Sequence, residues 1–361
     1  MFRLKIIGKK VAHPQLIEVD GSQKSGSGTI LRLSIALASI LGKPLHIYNI
    51  RHSRPQPGLR PQHLEAVLAA AKLCEAQVKG AVLNSRELWF TPKGIKGGRF
   101  EAEIGTAGSI PMLIMTVLPI CVFAENTVSL HISKGGTDVS NSPTINYLRY
   151  VFLPVLKHMG INASIRVHRY GYYPKGMGEV TLTVEPCKEL KPLRLEEFGD
   201  LTSVRGVSVC TSLADRRVAE RQAASAKNYL MAKGVAADIQ TINDQSNPLQ
   251  KGSSIVLWAE TDRGAVLGAD AIGELKKTSE AVGVEAAEKL WMEISTKAAT
   301  VDVHLADLLV PYVALAKGRS AYMTRTFSDH LEANIWLAET LLGVKFKVEK
   351  INEVYKVEKV E

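Results

Sequence analysis

Of the side chains in this sequence that can attack, bind an anion or move a proton, His330 has the most informative surroundings. It lies in Thr326-Phe327-Ser328-Asp329-His330-Leu331-Glu332-Ala333-Asn334-Ile335-Trp336-Leu337-Ala338. Leu331, Ile335, Leu337, Ala338, Leu341 and Leu342 recur at roughly helical spacing, which predicts a short buried helix over 331–342. Ser328 and Asp329 are N-cap residue types and Glu332 suits a first turn, so the helix opens at about His330. The positive end of the helix dipole disfavours an imidazolium there and leaves a neutral, nucleophilic ring at neutral pH. The unpaired N–H groups of the same turn favour a phosphate alongside. Nucleophilic attack on a phosphoryl centre is the chemistry that fits. A histidine that only caps its helix would show the same residues.

A second stretch, Arg60-Pro61-Gln62-His63-Leu64-Glu65-Ala66, carries His-Leu-Glu-Ala at the start of another apolar helix and hints at an internal repeat. Residues 21–64 contain no Asp or Glu, yet they hold Lys24, Arg32, Lys43, Arg51, Arg54 and Arg60. That stretch reads as a phosphate-facing surface. Within it, Gly21-Ser22-Gln23-Lys24-Ser25-Gly26-Ser27-Gly28 lies between a strand and a helix. It is either a phosphate loop built on backbone N–H groups or an ordinary turn. It matches neither a Walker A nor a dinucleotide fingerprint. Arg32, one turn into the next helix, either points back at a ligand or shields the apolar face. Arg54, Gln62 and His63 flank the turn Arg54-Pro55-Gln56-Pro57-Gly58 and could converge on a phosphate. Gly171-Tyr172-Tyr173-Pro174-Lys175-Gly176-Met177-Gly178 is either a hairpin turn or a loop whose aromatics stack on bases.

The elements that must position these residues recur. A strand at 16–20, a helix at 30–41, a strand at 45–50 and a helix at 62–74 precede strands near 81–83, 87–91 and 100–104. The order returns with an apolar helix to 124, a strand at 127–132, a helix at 143–159 and strands at 162–168 and 179–184. It returns again with a helix at 303–316, a strand at 320–324, the helix at 331–342 and a strand at 344–350. The expected fold is α/β of the α+β type, a core of three repeated two-helix and sheet units (1–186 and 301–361). Residues 187–300 lie between the second and third passes and read as a smaller inserted α/β domain, because they interrupt the repeat and do not extend it. His330, the acid-free stretch and both glycine-rich loops fall outside it, so it is expected to be dispensable for nucleophilic chemistry at His330.

With 361 residues, 46% of them hydrophobic, the chain can bury a large core and is not a disordered one. Lys plus Arg number 45 against 36 Asp plus Glu, a balance compatible with a nucleotide or nucleic-acid partner. Cys74, Cys121, Cys187 and Cys210 have neither metal-type spacing nor a disulfide framework, which suits a reducing cytoplasm. Met1-Phe2-Arg3-Leu4-Lys5 opens no apolar run of the signal-peptide kind. The uncharged stretch 106–124 is interrupted by Pro111 and Pro119 and reads as a buried helix, not a membrane span.

Taken in order, Asp20-Gly21…Gly26-Ser27-Gly28-Thr29-Ile30-Leu31-Arg32, Arg54…Pro57-Gly58-Leu59-Arg60-Pro61-Gln62-His63-Leu64, Lys134-Gly135-Gly136-Thr137-Asp138, Arg169-Tyr170-Gly171-Tyr172-Tyr173-Pro174-Lys175-Gly176-Met177-Gly178 and Asp329-His330-Leu331 resemble the RNA 3′-terminal phosphate cyclase family. The resemblance runs from Asp20 to about Phe346. It implies three repeats with an inserted small domain, in agreement with the segmentation above.

It also implies a three-step, ATP-dependent conversion of an RNA 3′-phosphate to a 2′,3′-cyclic phosphate, through a covalent histidine–AMP and an RNA-(3′)pp(5′)A end. His330 matches the nucleophile; Arg32, Arg54, Gln62 and His63 match residues needed for activity; Pro143, Tyr147 and Asp307 match the adenine pocket. The implied partners are ATP, a divalent ion (Mg²⁺ or Mn²⁺) and RNA with a 3′-phosphate end. Family members commonly carry a metal-serving Glu where this sequence has Ser25, so no metal ligand is assigned. Gly176-Met177-Gly178 replaces a glycine triplet, His304 the usual aromatic and Leu308 the usual Gln. A non-catalytic, ribosome-assembly branch of the family is the alternative, but it lacks the histidine found here at 330. Carboxyvinyl transferases repeat a similar unit without these motifs, and simple single-stranded RNA binding would use the same basic face.

Overall fold

The computed structural model describes residues 15–360; Met1–Lys5, read above for a signal peptide, lies outside them. Three four-stranded sheets share one plan. The first is built from β1 (Ile17–Asp20), α1 (Gly28–Leu41), β2 (Leu45–Tyr48), α2 (Pro61–Cys74), β3 (Gln77–Lys79) and β4 (Leu88–Thr91). Its strand order is β1-β2-β4-β3, with β1 parallel to β2 and both other pairings antiparallel. The second uses β5 (Gly98–Glu103), α3 (Ile110–Val122), β6 (Val128–Gly135), the helical segment α4 (Ile145–Tyr147) to α5 (Leu153–His158), β7 (Ala163–Arg169) and β8 (Gly178–Val184), in order β5-β6-β8-β7.

The third sheet pairs β9 (Arg194–Leu195) in parallel with β14 (Ser320–Thr324), then β16 (Val354–Val360) and β15 (Lys345–Ile351), with α8 (Val303–Leu315) and α9 (Asp329–Leu342) as its helices. Its first strand thus precedes the fourth sheet, which lies between β9 and α8. That sheet has order β11-β10-β12-β13, from β10 (Leu201–Thr211), β11 (Asp238–Asp244), β12 (Gly252–Thr261) and β13 (Val266–Ile272), with α6 (Val218–Ala232) and α7 (Ser279–Ile294) against it. Chain and topology together are α+β.

Helices pack within and between units, α1 on α2 of its own unit and on α3 and α9 of the others, and α3 also on α2 and α8. Their apolar faces join the inner sheet faces in one large core, while residues 204–299 form a smaller cluster with Met323 and Val354. Ile30, Leu31, Ile35 and Leu37 of α1 are at most 2% exposed. Each contributes about 1.5–3 kcal/mol by leaving water, so the helix is held by packing on every side.

Local deviations from the expected elements have identifiable causes. Residues 81–83 form a turn instead of a strand, with Val82 and Leu83 exposed, because Gly80 and Asn84 both take positive φ around them. The apolar helix starts at Ile110, where Ser109 caps it and Pro111 occupies the first turn. The helix expected over 143–159 starts after the cap Thr144 and carries a π turn at Leu148–Phe152. Pro154 follows directly and lacks the N–H that a regular turn would use. No described helix is long and apolar enough to cross a membrane.

Candidate active site

First turns of five helices, α1, α2, α3, α8 and α9, open onto one cavity of about 830 Å³. Each brings the positive end of a dipole, so the floor favours an anion before any side chain is counted. Arg32, Arg51 and Arg54 add three guanidinium groups to the same lining.

Arg32 donates from Nη2 to Thr29 Oγ1 at 2.8 Å. Burial, then the charges of Arg54 and Arg51, push its pKa down to about 10. Among the described residues no ion pair engages Arg32, Arg51 or Arg54. A desolvated cation without a counter-ion is costly, so this corner is built to receive a negative group. Arg51 donates from Nη1 to the carbonyls of Gln56 (2.7 Å) and Gly58 (2.9 Å), which fixes the loop that presents Arg54.

His63 is only 5% exposed and its Nδ1 has no hydrogen-bond partner. Burial, followed by Arg32, Arg51, Arg60 and Arg54, drives its pKa down to about 3, so the ring is neutral. A Cβ at Gly28 would stand 2.5 Å from His63 Nε2, which is why the start of α1 carries no side chain there. Gln62 accepts the Ser109 N–H at 2.8 Å, and Ser109 Oγ lies 2.6 Å from Ser142 Oγ. Gln62 thereby ties α2 to the cap of α3 and to the loop before Pro143.

His330 is half-buried at the second position of α9, with Nδ1 buried and unpartnered. Burial, then Arg32 and Arg54, hold its pKa below the usual histidine range; Asp329 opposes them. Ser328 caps the helix, accepting the Leu331 N–H at 3.0 Å and donating to Asp307 Oδ1 at 2.6 Å. Asn334 Nδ2 donates to the Asp307 carbonyl at 2.8 Å, a second tie between α8 and α9. Burial raises the Asp307 carboxyl to about 7, against the pull of the Ser328 hydrogen bond.

A neutral imidazole facing unpaired guanidiniums and five helix N-termini is suited to phosphoryl chemistry, and comparison with known proteins says which. The family model for RNA 3′-terminal phosphate cyclase matches residues 23–348. The chain belongs to the RNA 3′-terminal phosphate cyclase family. It is 45% identical over 330 residues to the RNA 3′-terminal phosphate cyclase of Pyrobaculum aerophilum, covering 91% of this chain and 94% of that one. The corresponding protein of Pyrobaculum neutrophilum is 44% identical over 342 residues, 95% and 97% of the two chains. That of Pyrococcus furiosus is 45% identical over 333 residues, 92% and 95%. The chain is therefore an enzyme.

In this cyclase Arg32, Arg54, Gln62, His63, Pro143, Asp307 and His330 border the one cavity, and His304 and Leu308 join them. Tyr147 does not. It is fully buried, its hydroxyl donating to Asp302 Oδ1 (2.7 Å) and Oδ2 (2.9 Å) behind the cavity wall. Asp302 is the cap of α8 and also accepts the Gly268 N–H at 2.8 Å, so Tyr147 completes a buried joint. Lys24 reaches Glu332 of α9 at 2.9 Å, and Ser25 Oγ lies 2.9 Å from the α1 cap Ser27 Oγ.

Sequence reasoning missed one whole wall. Asp270, Glu274, Lys277, Glu285 and Lys289, from β13, α7 and the turn between them, face the cavity. Lys289 pairs with Glu285 at 2.7 Å, and Lys277 pairs with the same carboxylate. Nothing in their spacing marks them, because they read as the solvated side of an ordinary charged helix. Arg51 was legible only as one of six cations in the acid-free stretch.

Proposed function

We propose that this enzyme cyclises RNA 3′-phosphates at the expense of ATP, with His330 as the covalent nucleophile. The carrying observation is the neutral, half-buried His330, whose depressed pKa and α9 N-terminal position face the unpaired Arg32 and Arg54. With Nδ1 buried, Nε2 is the ring nitrogen open to the cavity. It attacks the α-phosphorus of ATP, forms a P–N bond and expels pyrophosphate. Arg32 and Arg54 take up the charge that develops on the phosphoryl oxygens.

An oxygen of the RNA 3′-phosphate then attacks the same phosphorus and breaks the P–N bond, giving RNA-(3′)pp(5′)A and restoring the neutral ring. The vicinal 2′-OH attacks the 3′-phosphorus, loses its proton, closes the five-membered ring and releases AMP. Pro143 and Asp307, which line the same cavity as His330, are the residues we assign to the adenine, with Tyr147 buried behind them on Asp302. A divalent ion bound with the ATP phosphates would supply charge neutralisation to the leaving pyrophosphate, and Arg32 and Arg54 line the same cavity to share that charge. The four free cysteines fit a reducing cytoplasm, where we place the enzyme.

The test is labelling with ATP carrying a radioactive α-phosphate. Wild type should retain the label in an acid-labile, alkali-stable bond, and His330→Ala should abolish it while keeping the fold. Label retained by His330→Ala, or mapped to His63, would overturn the assignment.

A further inference from the structure

Away from the cavity floor, the loop before β8 and the loop before β12 lock together. Asn247 is fully buried, and its Nδ2 donates to the carbonyls of Tyr170 (2.8 Å) and Gly176 (3.1 Å). The Lys175 N–H donates to Gln250 Oε1 at 3.1 Å. A Cβ at Gly176 would come within 2.9 Å of Ala107 Cα and Thr106 O, so the turn is pressed onto the loop before α3. Hydrogen bonds and close packing hold this frame, while its outer face is exposed. Tyr173 is 78% exposed and Leu249 55%. Among the described residues, the Tyr173 ring and hydroxyl and the ammonium groups of Lys175 and Lys251 have no partner.

The position of this face matters. Lys251 precedes Gly252, the first residue of β12, and Ser254 of that strand pairs with Ile272, which lines the cavity. The Gly273 N–H donates to the Ser253 carbonyl at 2.8 Å, and Glu274 lines the cavity next in sequence. At the strand rise of about 3.3 Å per residue, Lys251 stands roughly 10 Å from the cavity wall. An exposed aromatic in the same pair of loops as unpaired cations is an arrangement that can hold single-stranded nucleic acid, the ring stacking on a base and the cations on phosphates.

We propose that Tyr173, Lys175 and Lys251 form a platform for the RNA segment just 5′ of the reacting terminus, Tyr173 stacking on a base and the lysines contacting the backbone. The proposal rests on the reading that the RNA 3′ end enters the cavity of His330. Its test compares cyclisation of a 3′-phosphorylated dinucleotide with that of a decamer. Tyr173→Ala should raise KM for the decamer about tenfold, Tyr173→Phe should retain the wild-type value, and neither should move KM for the dinucleotide, which is too short to reach. Lys175→Ala/Lys251→Ala should reduce the salt slope of decamer binding by about 1.4, the value for two single-strand phosphate contacts. Self-adenylation with ATP alone verifies the fold of each variant. Equal effects on both substrates, or none on the decamer, would overturn the platform. A wild type that fails to self-adenylate would instead overturn the His330 reading, and direct binding of a fluorescent decamer would still decide the platform.

Discussion

Ser328 Oγ donates to Asp307 Oδ1 at 2.6 Å while accepting the Leu331 N–H at 3.0 Å, so one hydroxyl both caps the helix of His330 and ties it to α8. The acceptor is a carboxyl that burial has raised to about 7. A folded-state pKa above the unfolded value means that folding penalises the ionised form. Stability from this group is complete below about pH 3.8 and is lost as pH rises through 7. Asp307→Asn keeps an acceptor for Ser328 and removes the ionisation. Its melting temperature should therefore gain on wild type between pH 4 and pH 7.5 and level off above. Thermal denaturation across that range decides it; a constant difference would mean that the carboxylate is well solvated. Ser328→Ala should cost about 1 kcal/mol at low pH, the usual worth of a cap, and more as Asp307 ionises, because the hydroxyl also donates to that carboxylate.

The pH dependence of adenylation has the opposite sign. His330 must be neutral to attack, and burial with Arg32 and Arg54 holds its pKa below 6.5. Single-turnover adenylation should stay flat as pH falls through 6.5 and decline only below it. Arg54→Ala removes a neighbouring positive charge and should move that limb upward toward 6.5. An acid limb in the wild type at or above 6.5 would contradict the electrostatics of the site. His63, at about 3, has the same sign in stability, which should erode as pH falls from 6.5 toward 3.

Much of this was legible in the sequence because it rests on local chemistry. The Ser328 cap, the helical spacing behind His330 and the acid-free stretch holding Arg32 and Arg54 are short-range signals. What was not legible depends on which side chains meet across the chain. Tyr147 was expected to line the cavity, but its hydroxyl meets Asp302, 155 residues away. β16 escaped notice because Val354–Val360 alternates charged and apolar residues beside a tail, and β9 is only two residues long. The wall from Asp270 to Lys289 carries no motif at all.

That wall reverses the expectation that residues 187–300 can be spared. Thr144 N–H donates to Asp270 Oδ2 at 2.7 Å, and Gly268 N–H satisfies the buried Asp302 at 2.8 Å. Removing 201–294 with a short Gly/Ser closure would leave the Thr144 N–H unpaired, take one of several donors from Asp302, and strip apolar cover from Met323 and Val354. Each unsatisfied buried polar group costs about 1–3 kcal/mol. The truncated protein should melt well below wild type and bind ATP at least tenfold more weakly by calorimetry. Unchanged ATP affinity in a folded truncation would show that the Asp270–Lys289 wall plays no part in nucleotide binding.

The divalent ion supplies the last prediction, and it turns on Ser25. Among the described residues no three His, Cys, Asp or Glu side chains are grouped for a metal. Ser25 and Ser27 share a 2.9 Å hydrogen bond at the cap of α1, and residues 21–64 offer no carboxylate. Mg²⁺ commonly keeps several waters and few protein ligands, so ATP phosphates and water suffice to carry it, with Arg32 and Arg54 neutralising the remaining charge. Lys24 contributes only if it leaves Glu332, its partner at 2.9 Å. Metal affinity without nucleotide should therefore be weak, and Ser25→Glu, which places a carboxylate beside the α1 N-terminus, should tighten it. Calorimetric titration of Mg²⁺ and Mn²⁺ into both proteins without ATP provides the measurement. A tight wild-type site that Ser25→Glu leaves unchanged would mean that carboxylates outside the first loop hold the ion.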